Sequence, residues 1–168
     1  LIEALRSARP GQPDLELVHR LDRDTSGCLL VAKRRAALRD LHRQLREGQT
    51  EKHYLALVCG KWNLGTKRIE LALDTEQNPG LVLGAANGKK SVSTFKPVQF
   101  FGNLATLMEV EIDTGKTHQI RVHAAYAGHP VAGDDKYGNR TFNEIFKDYG
   151  LKRMFLHAAK LVFEHPIS

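Results

Sequence analysis

The sequence predicts an α+β fold, in which one domain is built on a mixed, largely antiparallel sheet flanked by helices. Two observations predict it. Strand-like segments follow one another with turn signals between them, such as Gly102-Asn103. Only a few segments show the 3.6-residue period of a helix, and hairpin-linked strands with separate helices are typical of this class. The 168 residues are enough for one hydrophobic core.

The first part of the chain contains two helical and two strand-like patterns. Residues 1–9 look amphipathic, and the apolar run at 27–33 is typical of a short buried strand. Residues 35–47 have the helical period, with leucines on one face and arginines on the opposite one. Residues 51–61 alternate enough to be a strand.

Strands dominate the middle of the chain. Short strands are predicted at 67–73 and 80–84, joined by a turn at Asn78-Pro79-Gly80. Longer strands are predicted at 91–101 and 104–113, and they pair as an antiparallel hairpin around the Gly102-Asn103 turn.

Helices return towards the end of the chain. Thr117 is predicted to cap a helix over 118–127, because a threonine hydroxyl can accept from the first amides of a helix. A glycine-containing loop, a short helix at 141–149 and a last strand at 155–163 complete the prediction.

The charge balance favours a polyanionic partner. The formal net charge is +6 and the pI is about 9.4, which indicates nucleic acid, although incidental basicity remains open. The arginine stripe, with Arg35 and Arg39, is a candidate phosphate track or simply a solvated face. No apolar run approaches the roughly 18 residues of a membrane helix.

Cys28 and Cys59 are predicted to be buried free thiols of a reducing compartment, with a disulfide between them left open.

Asp22 is the acid that the sequence singles out. Arg20 and Arg23 flank it, and opposite charge nearby keeps a carboxylate ionised, as a nucleophile or base requires. A structural role in a turn is the alternative.

Arg121 lies in the first turn of its helix, where a cation opposes the helix dipole, so a specific partner is expected: the Asp22 carboxylate, a phosphate, or both. Tyr54 is either an ordinary aromatic on a sheet face or a platform for an unstacked base.

Metal chemistry is not expected. His118 and His123 are five residues apart, whereas a helical ligand pair needs four, and the sequence has no CxxC. The stretch from Asp22 imitates a calcium loop but carries Lys33 where a glutamate is needed. Asp22-x-Asp24-Thr25, with Asp134-Asp135 downstream, is also compatible with a magnesium-dependent phosphatase of the haloacid dehalogenase class. That class needs a parallel sheet, which the hairpin pattern disfavours.

Four segments together resemble the RluA-type pseudouridine synthases. The match to the family runs in register along essentially the whole chain. The four segments are His19-Arg20-Leu21-Asp22-x-x-Thr25-Ser26-Gly27, Lys52-x-Tyr54-Leu55-Ala56, Gly115 to His123 with Gly128-His129-Pro130, and Leu156-His157-Ala158.

The resemblance implies a function and a role for each site residue. Uridines of large-subunit ribosomal RNA would be flipped out and isomerised to pseudouridine without metal or cofactor. Asp22 would be the catalytic aspartate, with attack on the sugar, attack on the base and removal of a sugar proton as the open alternatives. Arg121 would hold it in a salt bridge and help keep it ionised. Tyr54 would stack on the target base, with assistance in removing the C5 proton as a further role. Arg20 would enter the RNA stack or bind backbone. Arg23 and His118 are also expected to face RNA.

The resemblance also implies what surrounds the chain. Residues 1–168 are expected to be the catalytic domain of a cytoplasmic, monomeric enzyme. The upstream Lys-Pro-x-Gly segment, the N-terminal S4 domain and the closing C-terminal strands of the family are expected to be missing from it. The rival hypothesis is an RNA-binding module of the same fold without chemistry.

Overall fold

A six-stranded mixed sheet organises the fold. The structure is a computed structural model that describes residues 1–73 and 88–166. Its elements are α1 (Ile2–Ala8), β1 (Glu16–Leu17), β2 (Ser26–Gly27), β3 (Val31–Ala32), α2 (Arg35–Arg46), β4 (Glu51–Cys59), β5 (Lys67–Leu73), β6 (Lys89–Phe101), β7 (Ala105–Ile112), α3 (Gln119–Tyr126), α4 (Arg140–Asp148) and β8 (Leu156–Val162).

The sheet has the strand order β2-β8-β4-β7-β6-β5. Within the described residues, β2–β8 is its one parallel pair, and the other neighbours are antiparallel. A second sheet pairs β1 with β3. The predicted α+β class and the mixed, largely antiparallel sheet are confirmed. No helix in the described part of the chain is long and apolar enough to cross a bilayer.

Side-chain alternation along β4 divides the core between the two faces of the sheet. Ala56 and Val58 join the larger cluster, which includes Ile120 and Ala124 of α3. Leu57 points to the other face and packs in the cluster that contains Phe142 of α4. The leucine face of α2 covers a third cluster around Val18 and Ala32, as its period predicted.

Three local predictions need comment. The run at 27–33 is not one strand: β2 and β3 are separate two-residue strands in different sheets. Cys28, between them, is exposed rather than buried, and both cysteines are free thiols. The strand predicted at 80–84 and its turn lie outside the described residues.

Thr117 does not cap α3, contrary to the prediction. The N-cap residue is His118, which adopts a left-handed conformation with φ 56° and makes no side-chain cap bond. The buried Gln119 side chain holds this turn instead. Its amide nitrogen donates to the Val92 carbonyl at 2.8 Å, while its oxygen accepts from the Thr114 hydroxyl at 2.7 Å. The start of α3 is therefore fixed against β6.

The parallel β2–β8 pair joins the segment after Asp22 to the last strand. Ser26 lies opposite His157 and Gly27 opposite Ala158. Gly27 has φ +118°, and a Cβ built there would lie 2.2 Å from the Ala158 carbonyl oxygen. Only glycine permits both this backbone conformation and this close approach.

We expect Gly27→Ala to lower the free energy of unfolding by at least about 2 kcal/mol, because positive φ and a backbone clash each cost of that order. Thermal unfolding would show this as a fall in Tm of about 4 °C or more. Gly11→Ala is the matched control, since a Cβ at Gly11 meets nothing within 4 Å and its φ is not positive. Equal Tm values for the two variants would contradict the structural role given to β2–β8.

Candidate active site

Asp22 lies in the loop between β1 and β2, and local hydrogen bonds shape that loop. The Thr25 amide donates to the Asp22 carbonyl at 3.0 Å, which closes a turn around the acid. The Leu30 amide donates to Nε2 of His19 at 3.1 Å. Burial lowers the pKa of His19, which keeps the imidazole neutral and able to accept this bond. At the far end, Ser26 and Nδ1 of His157 are hydrogen-bonded at 2.8 Å.

The loop contributes to a small pocket, called here the central pocket, with a volume of about 110 Å³. Three segments build it: the Asp22 loop, the sheet residues that pack beneath it, and the turn that begins α3. Its lining includes Asp22, Tyr54, His118, Arg121, and the apolar side chains of Ile112 and Leu156. The structure therefore brings the three residues predicted to be catalytic to one place.

Tyr54 reaches this pocket from β4 at an irregularity in the sheet. The register between β4 and β8 shifts between His53 and Tyr54, and such bulges re-aim a side chain. Burial, followed by the nearby charge of Asp22, raises the pKa of Tyr54. The phenol is consequently neutral near pH 7. A neutral, half-buried ring suits stacking on a base better than it suits removing a proton.

The guanidinium of Arg121 makes its hydrogen bonds to Asp134, a residue that the sequence did not single out as a site residue. Nε donates to Oδ2 at 2.7 Å and Nη2 to Oδ1 at 2.8 Å, with the Asp134 side chain fully buried. The amides of Lys136 and Tyr137 also donate to Asp134 Oδ1. Burial opposes the charge on both groups, but their pairing outweighs it: the pKa of Arg121 is raised and that of Asp134 is lowered.

Asp22 lies at a longer distance on the opposite side of the guanidinium. Nη1 of Arg121 is 3.9 Å from Asp22 Oδ2, and the Asp22 side chain is 19% exposed. The expectation that Asp22 would be the partner of Arg121 is thus incomplete, since the tight partner is Asp134. Because Nη1 is not used by Asp134, one edge of the guanidinium faces Asp22 and the pocket.

Tyr137 completes the surroundings of Arg121. Its ring centroid is 5.1 Å from the guanidinium carbon, in the range of a cation–π contact. Its hydroxyl and Nδ1 of His118 are hydrogen-bonded at 3.0 Å, which fixes His118 at the rim of the pocket. Burial, followed by the charge of Arg121, lowers the pKa of His118, so this imidazole is neutral.

The loop that carries Asp134 gave one usable sequence signal. Gly133 and Gly138 bracket Asp134, Asp135 and Tyr137 in an otherwise basic chain. A Cβ at Gly138 would lie 1.9 Å from the Asp134 carbonyl oxygen, so the loop folds tightly over itself. Two glycines around an acid and an aromatic indicate a constrained loop, but nothing in the spacing identifies its partner.

Two larger cavities adjoin the central pocket. The β4-side cavity, of about 560 Å³, shares Arg20 and Tyr54 with it. The α4-side cavity, of about 770 Å³, shares His118 and Arg121 with it and is also lined by Arg23.

Of the residues predicted to bind RNA, some lie around the central pocket and others lie away from it on α2. Arg20, Arg23 and His118 lie around the pocket, whereas Arg35 and Arg39 are exposed on α2 and line none of these three cavities. The described residues contain no group of three or more His, Cys, Asp or Glu side chains that could hold a metal ion.

Comparison with known proteins gives consistent matches. A family model described as RNA pseudouridylate synthase matches residues 3–126. Ribosomal large subunit pseudouridine synthase C of Vibrio vulnificus (strain CMCP6) is 50% identical over 167 residues, which is 99% of this chain and 53% of that protein. The enzyme of the same name from Yersinia pestis is 52% identical over 169 residues, which is 99% of this chain and 52% of that one. The chain therefore spans about half the length of the curated relatives it matches.

Solved structures agree. Human RNA Pseudouridylate Synthase Domain Containing 1 superposes with a TM-score of 0.77 at 32% identity, covering 94% of this chain and 66% of that one. Human RNA Pseudouridylate Synthase Domain Containing 4 gives a TM-score of 0.79 at 21% identity, covering 97% and 72%, and supports the fold. The resemblance that the four motifs predicted is confirmed.

We expect Asp134→Asn to lower the free energy of unfolding by about 3–5 kcal/mol, because it removes the hydrogen-bonded counter-charge of the buried Arg121 guanidinium and leaves Asp22, at 3.9 Å, as the acid that still faces it. Asp135→Asn is the matched control, since this neighbouring aspartate is exposed. Urea denaturation of both variants measures the difference. A loss in Asp134→Asn no larger than in Asp135→Asn would mean that the pair contributes little to the fold.

Proposed function

The chain belongs to the RNA pseudouridylate synthase family, and we propose on that basis that it isomerises uridines of large-subunit ribosomal RNA to pseudouridine. The observation that carries the proposal is the central pocket. Its lining brings together the Asp22 carboxylate, Tyr54 and the edge of the Arg121 guanidinium that faces Asp22 at 3.9 Å. The relatives named as acting on the ribosomal large subunit support the choice of RNA.

The reaction requires a group that acts on the reacting nucleotide while the uracil stays bound. The N1–C1′ bond breaks, the base rotates, and C5 bonds to C1′; the C5 hydrogen leaves as a proton and N1 gains one. We propose that Asp22 is the group that acts on the reacting nucleotide. It is the one carboxylate among the described residues that line the central pocket.

Holding the detached base is the task we assign to Tyr54 and its neighbours. Between the two bond changes the uracil is detached from the sugar, so contacts in the pocket have to keep it oriented for rejoining. The Tyr54 ring offers a stacking face, and Ile112 and Leu156 supply an apolar lining. Flipping the nucleotide costs a few kcal/mol, which these contacts and phosphate binding offset.

Arg121 acts in this proposal as a positioning residue as well as a charge. Asp134 fixes the guanidinium by two hydrogen bonds, so its remaining edge faces Asp22 without depending on RNA. An anion site that is already oriented needs no rearrangement as the reaction proceeds. We further propose that the enzyme works in the cytoplasm, because ribosomal RNA is its proposed substrate and both its cysteines are free thiols. The monomeric state stays a prediction.

Asp22→Asn should reduce pseudouridine formation by at least about 10²-fold, as expected for loss of an acid, base or nucleophile, while RNA binding survives because the shape hardly changes. The measurement is tritium release from a large-subunit ribosomal RNA transcript labelled at C5 of uridine. Asp14→Asn is the control, being an exposed aspartate outside the pocket.

Two outcomes would overturn this assignment. Near-wild-type release by Asp22→Asn would remove Asp22 from the chemistry. Absence of release by the unaltered protein, with RNA still bound, would favour the rival RNA-binding module.

We also expect Arg35→Glu with Arg39→Glu to weaken RNA binding and flatten its salt dependence, by about 0.7 in log–log slope for each lost phosphate contact. Arg35 lies in the first turn of α2, where glutamate suits the helix dipole, and both arginines are exposed, so unfolding would not account for the loss. Lys61→Glu with Lys67→Glu gives the same charge change elsewhere on the surface. If the salt slope of RNA binding were unchanged in the α2 variant, the arginine face of α2 would be a solvated face that does not contact phosphates.

A further inference from the structure

His118 has an unusual backbone conformation for a residue with a side chain. Within the described part of the chain it is the one non-glycine residue with a positive φ, 56°, a region that such residues rarely occupy. Conformations of this kind persist where neighbouring contacts enforce them, and they are concentrated at functional sites. The buried Gln119 side chain supplies that enforcement, because it fixes the turn against β6. In this conformation the His118 side chain lines the central pocket.

The imidazole of His118 is held in place by Tyr137. Nδ1 and the Tyr137 hydroxyl are hydrogen-bonded at 3.0 Å, and the two rings meet edge to face, with centroids 5.6 Å apart and an interplanar angle of 70°. Tyr137 is itself fixed, because its amide donates to Asp134 Oδ1 at 3.0 Å and its ring centroid lies 5.1 Å from the Arg121 guanidinium carbon. The loop that orients Arg121 therefore also orients His118.

The hydrogen bond to Tyr137 decides which nitrogen of His118 carries the proton. Burial is the largest cause both of the lowered pKa of His118 and of the raised pKa of Tyr137, so both groups are neutral near pH 7. A neutral phenol is a stronger acid than a neutral imidazole, and the bare ring nitrogen is the stronger base, so the Tyr137 hydroxyl donates to Nδ1. The imidazole proton then lies on Nε2. Nε2 has no hydrogen-bond partner among the described residues, so its N–H is available to a ligand.

A fixed donor differs from the other uncharged polar side chains that line the central pocket. The hydroxyls of Thr25, Tyr54 and Thr117 can turn, so each serves as a donor or an acceptor according to its partner. The Gln119 amide is already engaged by β6 and by the turn before α3. Among the described lining residues, His118 is thus the uncharged side chain that requires an acceptor opposite it.

The chemistry of uracil gives such a donor a selective use. A half-turn of the ring about its N3–C6 axis exchanges N1 with C5, as the isomerisation requires, and it also exchanges O2 with O4. A donor placed beside N3 consequently faces a carbonyl oxygen before the rotation and after it. In cytosine, one of these two positions holds an amino group, which donates and does not accept.

We infer that Nε2–H of His118 donates to a carbonyl oxygen of the target uracil in both orientations of the base, and that this contact makes the pocket reject cytosine. The inference rests on the proposed function, because it names a group that recognises the substrate of that reaction. A cytosine in the same place would set one donor against another, and a polar group left unpaired discriminates strongly between substrates. Tyr137 is a positioning residue: it is not among the lining residues of the pocket, and it acts through His118.

His118→Gln and His118→Met test the donor. The two side chains are unbranched and similar in length, and both meet the same positive φ, but only glutamine offers an N–H. Tritium release from the C5-labelled ribosomal transcript should fall about 10-fold in kcat/KM for His118→Met, and less than about 3-fold for His118→Gln. His165→Met is the control, because His165 is exposed and lies outside the pocket and its two neighbouring cavities.

Equal kcat/KM values for the glutamine and methionine variants would overturn the inference. Thermal unfolding checks that both variants fold. If His118→Met does not fold, His118→Gly takes its place, because glycine adopts a positive φ freely and also lacks the donor.

Transcripts with sulfur in the base test the acceptor. Sulfur accepts hydrogen bonds poorly, so transcripts made with C5-tritiated 2-thiouridine or 4-thiouridine should release tritium more slowly than the ordinary transcript does with the unaltered protein. The difference should shrink in His118→Met, where the donor is gone, while any effect of sulfur on the chemistry itself is common to both proteins and cancels. A sulfur effect of the same size in both proteins would contradict the contact.

Tyr137→Phe tests the positioning role, because it removes the hydroxyl and keeps an aromatic ring beside Arg121. Release should fall by less than in His118→Met, and the double variant should lose no more than His118→Met alone, since Tyr137 acts through His118. Additive losses would reject this role. Tyr149→Phe, at a tyrosine that is 76% exposed, is the matched control.

The failure of this inference can be told apart from the failure of the proposed function. Tritium release by the unaltered protein, with equal release by the two His118 variants, would reject the uracil contact and leave the isomerase standing. If the unaltered protein releases no tritium, the isomerase is rejected, and the dissociation constants of oligouridine and oligocytidine decide the contact. A preference for oligouridine that His118→Met abolishes would support it, and equal affinities of the unaltered protein for the two strands would reject it.

Discussion

The buried ion pair between Arg121 and Asp134 is the interaction on which the site depends. A guanidinium in the interior is tolerable only with a counter-charge and well-directed hydrogen bonds, and Asp134 supplies both. It also decides orientation, because two of the guanidinium's donor groups are occupied by Asp134 and Nη1 is directed towards Asp22 at 3.9 Å. The acid of the pocket thus faces a fixed positive charge without being tied to it, which leaves its oxygens available to a bound nucleotide.

Sequence patterns predicted the sheet, and they also pointed to three residues that line the central pocket, for reasons that are local. Alternation in β4 and the hairpin at Gly102-Asn103 depend on neighbouring residues, so the fold class followed from them. Asp22 was singled out because its arginine neighbours are adjacent in sequence, and the family motifs added Tyr54 and Arg121. What the sequence missed is non-local. Asp134 acquires its role only when its loop folds against α3, and Gln119 displaces the expected Thr117 cap through contacts with β6.

The central pocket and the two cavities beside it differ in size and in charge. The pocket is small and partly apolar, and buried groups there have shifted proton affinities: the pKa of Tyr54 is raised, whereas that of His118 is lowered. Both groups are therefore neutral, and the charged side chains that line the pocket are those of Asp22, Arg20, Lys116 and Arg121. The two adjoining cavities add further lysines and arginines around it, and such an excess of positive charge attracts a polyanion.

The pairing of β2 with β8 has a consequence for the order in which the molecule can assemble. Ser26 and His157 are 131 residues apart, so the strand that anchors the Asp22 loop leaves a ribosome long after the loop itself. Contacts of such long separation form late, because the entropy of closing the intervening chain must first be overcome. A nascent chain would therefore already carry its acidic loop, but that loop would have no strand to hold it. The pocket would acquire its shape only after β8 has been synthesised.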